Sequence, residues 1–474
     1  MKKEQKLIKK IFESLELNSD ILSVTIVGSV ENMNLENISD IDIVVVLNEL
    51  SIKKFKNVKE SIKKINLQSI GIEKELIIND TFGPLKFDTK NNLIFHLMIY
   101  DQLLHLEHVI NSPFTCYDWE RSDQYIMNKL SYISSVHKLM LNDFINSRRG
   151  TKEYFDDISK NQISYRKYVE VDNKLIEEKR YFDIDKKHIS EFSYHIIFNS
   201  IGNLLKLFLN KNEKYDFENF MRNWEETFDK LYKKYNIQFR SLYESKINKK
   251  IISFDTLELT KKFLIDFDKL LDDTYRDANK LVLVRHFETE LNDGRFLGSE
   301  NDIGILSKLT INEDLKNFDF NSYDIFSSPS KRSLQTMDKL KIISYQISDE
   351  LKEINYGDSE GQFFTDVIKE NVYISESINK GIDFKFPNGE DNSTVLKRVY
   401  KLISGLKKNS IFFTHQGVIR CLIGNSLEIP INKWYLIKVP HGHPIEFINV
   451  NNNFTLNIDR ETFGEIMENF NAKL

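Results

Sequence analysis

One short apolar stretch, followed at once by two basic residues, constrains this chain most strongly. Residues 281–284 read Leu-Val-Leu-Val, and Arg285 and His286 come directly after them. Four consecutive apolar residues of this kind are typical of a strand that is buried on both faces. Open α/β sheets place their reactive groups at the carboxyl ends of such strands. The stretch therefore predicts an α/β sheet in this part of the chain, with Arg285 and His286 at its functional edge.

Four later segments follow this stretch in order. They read SSPSKRSLQT (327–336), LKEINYGDSEG (351–361), FPNGED (386–391) and FFTHQGVIR (412–420). Together with the first stretch they resemble the histidine phosphatase superfamily, which includes the cofactor-dependent phosphoglycerate mutases. The resemblance covers about residues 278–450. It implies a three-layer α/β/α domain, which we expect to occupy residues 276–474.

The resemblance implies a role for each charged residue of these segments. His286 is expected to attack phosphorus as a neutral imidazole and to form a phosphohistidine. Arg285 and Arg332 are expected to clamp the phosphate, since guanidinium groups match its oxygens in pairs. His415 is expected to act as a second, cationic imidazole that donates hydrogen bonds to the phosphoryl oxygens, and Glu353 as the general acid. Because fixed positive charge stabilises the transferred group, this chemistry is expected to use no cofactor.

Other residues of the same region concern the choice of substrate. Asn292 and Arg295 fit the substrate-binding segment of the family. Phe287 stands where the family commonly has glycine, so its ring is expected to narrow or redirect the pocket. His441 and His443 lie in the segment PHGHP and lack further ligands at metal-binding spacing. We interpret these two histidines as turn residues near the rim of the pocket.

The amino-terminal part of the chain contains two strands with small or acidic residues at their ends. The segment ILSVTIV is followed by Gly28 and Ser29, and the segment DIDIVVVL begins with Asp40 and Asp42. Successive side chains of a strand point to opposite faces, so Asp40 and Asp42 share one face and Ile41 takes the other. Paired carboxylates are what a two-metal transfer site requires, and glycine lets the backbone approach a phosphate closely.

These two segments resemble the nucleotidyltransferase superfamily that contains DNA polymerase β and the aminoglycoside nucleotidyltransferases. The resemblance covers about the first 105 residues. It implies that Asp40 and Asp42 hold Mg²⁺, and that Gly28 and Ser29 bind a nucleoside triphosphate. The family usually adds a third carboxylate from a later strand, and the segment LIFHLMIYD has His96 in its middle and Asp101 at its end. Metal binding through Asp101 and an impaired or inactive nucleotide-binding domain are therefore both left open.

The region between these two parts has the periodicity of helices. Large apolar residues recur at spacings of three and four in five segments: 103–110, 123–145, 190–209, 217–236 and 256–273. In small-molecule nucleotidyltransferases a helical partner completes the catalytic domain. We therefore expect three domains: a nucleotidyltransferase-like α/β domain at 1–105, an all-helical domain at 106–275 and the phosphatase domain at 276–474.

Composition and charge exclude several other classes of protein. A chain of 474 residues is long enough for two or three domains. Its formal net charge of -5 makes nucleic acid an unlikely partner, and its two cysteines encode neither a disulfide framework nor a cysteine metal site. No run of 18 apolar residues occurs, and the basic amino terminus lacks the apolar core of a signal peptide. We expect a cytoplasmic protein that does not enter a membrane.

The two resemblances together predict a bifunctional enzyme. One part is expected to hydrolyse a small phosphorylated metabolite, and the other to transfer a nucleoside monophosphate to a small-molecule hydroxyl with Mg²⁺. Two alternatives remain: a mutase that passes the phosphoryl group to another hydroxyl, and a regulatory or defence module that modifies a protein partner. The sequence leaves the oligomeric state undetermined.

Overall fold

The computed structural model describes residues 3–27, 40–83, 91–121, 125–127, 138–186, 188–209, 216–248, 255–298, 303–451 and 453–471. The chain forms two compact units, which we describe separately. The first unit comprises residues 1–134 and 143–270, and the second comprises residues 135–142 and 271–474. The predicted mixed α/β architecture with a helical middle region is confirmed. Within the described residues, no helix has both the length and the apolar character that a membrane crossing requires.

A five-stranded sheet with the order β3-β5-β2-β1-β6 organises the amino-terminal part of the first unit. Strand β2 pairs antiparallel with β1 and parallel with β5, so it lies at the centre of the sheet. The strands are β1 (Ile21–Val27), β2 (Asp40–Leu47), β3 (Glu75–Asn79), β5 (Asn92–Asp101) and β6 (Tyr125–Met127). A second, three-stranded sheet joins β4 (Thr81–Phe82), β7 (Gln162–Val171) and β8 (Lys174–Asp183).

The two faces of β2 are chemically different, as the alternation predicts. Ile41 and Ile43 are buried in a cluster that also contains apolar residues of α1 (Lys3–Glu16) and α2 (Ile52–Lys63). Asp40 and Asp42 are less buried than these isoleucines. Burying one face against helices therefore fixes the register that turns both carboxylates to the other face.

The middle region is mostly helical, with two differences from prediction. Residues 125–127, expected to be helical, form a strand because they pair with the edge strand β1. Residues 162–183 form the hairpin of β7 and β8, so an all-helical domain is wrong for this segment. The helices are α3 (Gln102–Asn111), α4 (Pro113–Arg121), α5 (Asp143–Asn146), α6 (Thr151–Ser159), α7 (Ile189–Leu209), α8 (Phe217–Thr227), α9 (Asp229–Ile247) and α10 (Asp255–Asp277).

The second unit is organised by a six-stranded sheet with the order β11-β10-β12-β9-β13-β14. Its four strands from β11 to β9 are parallel, whereas β13 and β14 pair antiparallel. The predicted strand at residues 281–284 is confirmed as the centre of β9. The strands are β9 (Lys280–Arg285), β10 (Asp324–Ser327), β11 (Gln346–Ile347), β12 (Ser410–Thr414), β13 (Pro444–Val450) and β14 (Asn453–Leu456).

The parallel order brings three strand ends to the same edge of this sheet. Strand β12 lies between β9 and β10, and the chain continues from these strands into His286, Ser328 and His415. Helix α12 begins just after β10, and helix α16 begins directly after His415. The helices of this unit are α11 (Glu313–Lys316), α12 (Lys331–Lys339), α13 (Phe364–Glu370), α14 (Val372–Lys380), α15 (Asn392–Ile403), α16 (Gln416–Ser426) and α17 (Arg460–Asn471).

Candidate active site

Two histidines meet at the carboxyl edge of the second unit's sheet. The backbone N–H of His286 donates to the carbonyl of Thr414 over 3.1 Å, which ties the end of β9 to the end of β12. The centroids of the His286 and His415 rings lie 5.2 Å apart. His286 is 5% exposed and His415 is fully buried. The sequence prediction that these two imidazoles share one site therefore agrees with the geometry.

The ring of His286 is held in one tautomer. Its Nδ1 lies 2.7 Å from the backbone carbonyl oxygen of Phe287. A carbonyl oxygen only accepts hydrogen bonds, so Nδ1 carries the proton and Nε2 keeps a lone pair. Burial, followed by the charges of Arg332 and Arg285, lowers the pKa of His286 well below its ordinary value. Near neutral pH His286 is thus a neutral imidazole with a lone pair on Nε2.

His415 is neutral as well, contrary to the expectation of a cation. Arg332 Nε donates to His415 Nδ1 over 3.1 Å, so Nδ1 is an acceptor and cannot carry a proton. The other nitrogen, Nε2, lies 2.8 Å from Ser328 Oγ and donates to it. Burial and the Arg332 charge lower the pKa of His415 well below its ordinary value. The positive charge beside this ring is therefore that of Arg332.

Arg332 is anchored by a loop of the same unit. Its side chain is 2% exposed, and Nη2 donates to the carbonyl oxygens of Leu297 and Gly298, each over 3.1 Å. The carboxylate of Glu360 accepts from the N–H of Gly298 over 2.8 Å and so holds this loop. A Cβ atom on Gly298 would lie 1.8 Å from Glu360 Oε1, so only glycine fits there. Glu360, to which the sequence gives no catalytic role, thus positions the anchor of Arg332.

Arg285 supplies a second buried cation. Its Nη1 donates to the carbonyl oxygen of Val439 over 2.7 Å, while Nε has no hydrogen-bond partner among the described residues. Burial, and then the charge of Arg420, lowers the pKa of Arg285 to about 9. Arg285 remains charged at neutral pH, and its charge contributes to the lowered pKa of His286.

Glu353 is distant from His415 in sequence, but its side chain lies at the amino terminus of α16, whose N-cap is His415. Its carboxyl oxygens accept hydrogen bonds from the N–H of Gly417, over 3.0 and 3.1 Å, and from the N–H of Ile354 over 2.9 Å. The side chain is 6% exposed. Because His415 and Gly417 belong to the same helix start, Glu353 is held near the second imidazole. The general-acid role of Glu353 stays a prediction.

Asn292 and Arg295 lie on an exposed segment. Asn292 Oδ1 accepts from Thr289 Oγ1 over 3.0 Å. Arg295 Nε donates to Asp293 over 3.0 Å, and its guanidinium lies 4.5 Å from the ring centroid of Phe363. No hydrogen bond or ion pair links either residue to the buried histidines in the part of the chain that the structure describes. Their roles in substrate binding stay predictions.

Phe287 does not obstruct the site. Its side chain is 3% exposed and packs in an apolar cluster with Val282 and Val284 of β9. The ring lies against Gly442, where a Cβ atom would come within 2.6 Å of Phe287 Cε1. The expectation that Phe287 narrows or redirects the pocket is therefore wrong, because its ring is taken up by the core.

His441 is closer to His286 than the sequence indicates. Its Nδ1 donates to the backbone carbonyl of His286 over 2.8 Å, and the two ring centroids lie 5.4 Å apart. Burial, and then the charge of Arg285, lowers the pKa of His441 to about 4. His443, by contrast, contacts Asn312 and Thr462. Spacing within PHGHP gives no signal for this difference, which arises from the loop before β13.

Two serines of the site were also missed. Ser328 and Ser330 both place Oγ near His415 Nε2, at 2.8 and 3.2 Å. Each lies in the segment SSPSKR just before Arg332. Their position directly after β10 was the available signal, since strand ends of this sheet carry the other polar groups.

In the first unit, His96 occupies the position opposite Asp42. The parallel register of β2 and β5 pairs Asp42 with His96, and His96 Nδ1 lies 2.9 Å from Asp42 Oδ1. His96 Nε2 is hydrogen bonded to the carbonyl oxygen of Thr81. Burial lowers the pKa of His96, but the hydrogen bond and charge of Asp42 outweigh it and raise that pKa above its ordinary value. Both partners of this ring are acceptors, so both of its nitrogens donate.

Asp101 is separated from the paired aspartates. It is paired with Leu47, five positions beyond the Asp42–His96 pair. At a rise of about 3.3 Å per residue this is roughly 16 Å along the strand. Its carboxylate caps α3 by accepting from the N–H of Leu104 over 3.0 Å. The structure therefore does not bring Asp101 to Asp40 and Asp42.

The donor set does not fit the three-carboxylate Mg²⁺ site that the resemblance implies. Within the described ranges, no group of three or more histidine, cysteine, aspartate or glutamate side chains is arranged to hold a metal ion. Gly28 and Ser29, the predicted nucleotide-binding residues, lie outside the described residues.

Comparison with protein families gives two matches on this chain. The profile described as "Histidine phosphatase superfamily (branch 1)" matches residues 281–454, and that described as "Nucleotidyltransferase domain" matches residues 6–98. Both regions agree with the resemblances drawn from the sequence. Comparison with curated proteins gives no match.

Solved structures that are similar to this chain include three that each cover 38% of it. The protein TTHB049 from Thermus thermophilus is 27% identical, over 38% of this chain and 97% of that one, with a TM-score of 0.30. A phosphoglycerate mutase from Thermus thermophilus is 28% identical, over 38% and 99%, with a TM-score of 0.30. An Escherichia coli protein, provisionally named an alpha-ribazole-5'-P phosphatase, is 24% identical, over 38% and 96%, with a TM-score of 0.33.

Proposed function

We propose, for a chain that contains a histidine phosphatase superfamily domain and a nucleotidyltransferase domain, that its second unit hydrolyses small phosphomonoesters through a phosphohistidine on His286. One observation carries this proposal. The Phe287 carbonyl accepts from His286 Nδ1 over 2.7 Å, which leaves Nε2 with its lone pair beside the buried cations Arg332 and Arg285. A nucleophile next to fixed positive charge is what attack on a phosphate monoester requires.

The reaction then has two steps. In the first, His286 Nε2 bonds to phosphorus, the ester P–O bond breaks, and the leaving alkoxide takes a proton from the carboxylic acid of Glu353. In the second, a water attacks phosphorus, the P–N bond breaks, and Glu353 takes up a proton from that water. Inorganic phosphate leaves and both residues return to their starting states.

The charge that develops during each step is met by neighbouring groups. Arg332 and Arg285 stabilise the negative phosphoryl oxygens. The imidazole becomes cationic while it carries the phosphoryl group, and the hydrogen bond from Nδ1 to the Phe287 carbonyl stabilises that cation. His415, held by Arg332 and Ser328, presents a neutral ring on the other side of the site.

Rapid-quench labelling with a ³²P-phosphomonoester tests this proposal. We expect the wild-type chain to accumulate an acid-labile phosphoenzyme, and His286→Ala to lose both the label and turnover. His443→Asn is the matched control, because His443 contacts Asn312 and Thr462 instead of the reactive ring. Parental turnover in His286→Ala would show that the assignment is wrong.

The same labelled enzyme distinguishes hydrolysis from phosphoryl transfer. A mutase passes the phosphoryl group of His286 to a second hydroxyl and depends on a bisphosphorylated primer. We expect label to be released as inorganic phosphate without a primer. Transfer of most of the label to an added alcohol acceptor would favour the mutase instead.

The proposal does not extend to Mg²⁺-dependent nucleotidyl transfer by the first unit, because its donor set does not fit that cation. Location in the cytoplasm and action on a protein partner stay predictions. Incubation of a cell lysate with the protein and labelled nucleoside triphosphates tests the latter, since a regulatory module of this kind would label a protein.

A further inference from the structure

In the first unit, the strand from which a third carboxylate is expected places a histidine, His96, directly beside Asp42. We propose that this unit works without a divalent cation and does not transfer nucleotides, because His96 satisfies Asp42 in place of a metal. The proposal concerns the first unit alone and is independent of the function proposed for the second.

The position of His96 follows from the sheet. Parallel pairing of β2 with β5 sets Asp42 directly beside His96, on the face that also carries Asp40. The ring is not a distant neighbour, since its Nδ1 lies 2.9 Å from Asp42 Oδ1. An N–H group therefore points at one of the two Asp42 oxygens that could coordinate a cation.

The second ring nitrogen fixes this orientation. His96 Nε2 is hydrogen bonded to the carbonyl of Thr81, so the ring is tied to two acceptors at once. The side chains of His96 and Asp42 are 17% and 26% exposed, and a half-buried pair is screened less by solvent than a surface pair. Turning the ring away to admit a metal would break both hydrogen bonds and leave the Thr81 carbonyl without this donor.

Among the described residues, the nearby acids Asp80 and Asp101 do not supply a third carboxylate. Asp80 is paired with Lys59 Nζ at 2.6 Å, and Asp101 caps α3 at the other end of β5. Mg²⁺ requires oxygen ligands in octahedral geometry, and a transfer site requires ligands for ions that bridge the triphosphate and the attacking hydroxyl. Within the described ranges, Asp40 and a hydrogen-bonded Asp42 are too few for that task.

The amount of Mn²⁺ that the full-length chain binds tests the proposal. Electron paramagnetic resonance measures it through the signal of the free ion. We expect the wild type and Asp40→Asn to bind the same amount of Mn²⁺. We expect His96→Asp, which provides the third carboxylate, to bind one additional ion per chain, and Asp40→Asn in that background to remove it. His96→Asn is the matched control, since it removes the ring without adding a carboxylate.

Three outcomes would overturn part or all of the inference. Mn²⁺ bound by the wild type and lost in Asp40→Asn would overturn it outright. So would transfer of label from a nucleoside triphosphate by the wild type that Asp40→Asn abolishes. If His96→Asp folds, as circular dichroism reports, and gains no ion, then His96 is not what excludes the cation. Should His96→Asp fail to fold, the comparison of wild type with Asp40→Asn still decides.

Discussion

At the scale of single residues, the reactivity of the site depends on where one proton of His286 resides. The carbonyl of Phe287 holds that proton on Nδ1, and burial with two arginines keeps the ring neutral. His441 Nδ1 donates to the backbone carbonyl of His286 and so adds a further hydrogen bond that fixes this residue. The sequence predicted His286 and the two arginines as site residues, but backbone carbonyl partners have no sequence signature, so these hydrogen bonds could not be predicted.

The pH dependence of phosphoenzyme formation should report this environment. Only neutral His286 attacks, and its pKa is lowered, so we expect formation of the phosphoenzyme to continue below about pH 6.5, the ordinary pKa of histidine.

Arg332→Gln removes a nearby positive charge and should raise the pKa of His286, which NMR titration of the ring measures. Lys331→Gln, at the exposed neighbour, is the control. An unchanged His286 titration in Arg332→Gln would contradict this explanation.

A buried hydroxyl in the first unit allows a stability prediction. Tyr100 is 1% exposed, and its hydroxyl has no hydrogen-bond partner among the described residues. An unsatisfied buried polar group costs about 1–3 kcal/mol, so Tyr100→Phe should raise the free energy of unfolding by about 1 kcal/mol. Tyr235→Phe is the contrasting control, because the Tyr235 hydroxyl donates to Asp266 and its loss should destabilise. Urea denaturation measures both, and a destabilised Tyr100→Phe would refute the assignment.

At the scale of elements, the start of α16 joins fold and site. Strand β12 ends at Thr414, and His415 follows it as the N-cap of α16. The N–H of Gly417, in the first turn of that helix, donates to the carboxyl group of Glu353. A Cβ atom at this position would lie 2.4 Å from Glu353 Oε1 and 2.7 Å from Ile354 Cδ1, so any larger residue would have to displace these two side chains. The first turn of one helix therefore sets the positions of an imidazole and of the proposed acid.

Gly417→Ala tests this coupling. We expect the added methyl to displace Glu353, to destabilise the chain by about 1–3 kcal/mol and to lower phosphatase turnover at least tenfold. Gly405→Ala, after α15, is the matched control, since its Cβ would meet only the Leu402 carbonyl oxygen, at 3.4 Å. Calorimetry and steady-state kinetics measure the two effects. If both variants keep parental turnover, the helix start does not control Glu353.

The elements that sequence reasoning missed have physical explanations. The segment 123–145 has helical spacing, but residues 125–127 pair with β1, since backbone pairing at a sheet edge outweighs local periodicity. The hairpin of β7 and β8 turns at Asp172 and Asn173, whose φ angles of 48° and 60° are left-handed. Asp and Asn tolerate such angles, so an Asp-Asn dipeptide between two alternating segments indicates a hairpin turn. Helical periodicity alone does not detect this signal. The role of Asp101 as the N-cap of α3 could not be predicted, because it depends on the residue at which that helix begins.

At the scale of the whole molecule, buried neutral histidines make stability depend on pH. Among the histidines in the described ranges, five have lowered pKa values: His105, His108, His286, His415 and His441. Below about pH 6.5 the unfolded chain binds protons that the folded chain does not, so the free energy of unfolding falls as the pH falls. His96, with its raised pKa, acts in the opposite direction but is a single group.

Urea denaturation at about pH 7.5 and pH 5 tests this balance. We expect lower stability at pH 5, by at most about 1.4 kcal/mol per pH unit for each histidine. In His441→Asn, which removes a group with a pKa of about 4, the pH dependence should be weaker. Equal stability at both pH values would mean that these histidines are not held neutral.

The order of motifs along the chain was enough to predict the two families that match it and the mixed α/β architecture. It was not enough to predict the grouping into two compact units, in which the amino-terminal sheet and most of the helical region belong together. Such grouping depends on which apolar faces cover one another, and helical periodicity identifies a face without naming what packs on it.

The contact between the Phe287 ring and Gly442 constrains which substitutions this protein can accept at either position. Replacing Phe287 alone with glycine would leave a void about the size of a benzene ring beside Gly442, whereas a side chain at position 442 alone would collide with the Phe287 ring at a backbone φ of 60°. Each change is harmful without the other. Mutational libraries should therefore show strong epistasis between these two sites, and a graft of this loop onto another scaffold must carry both.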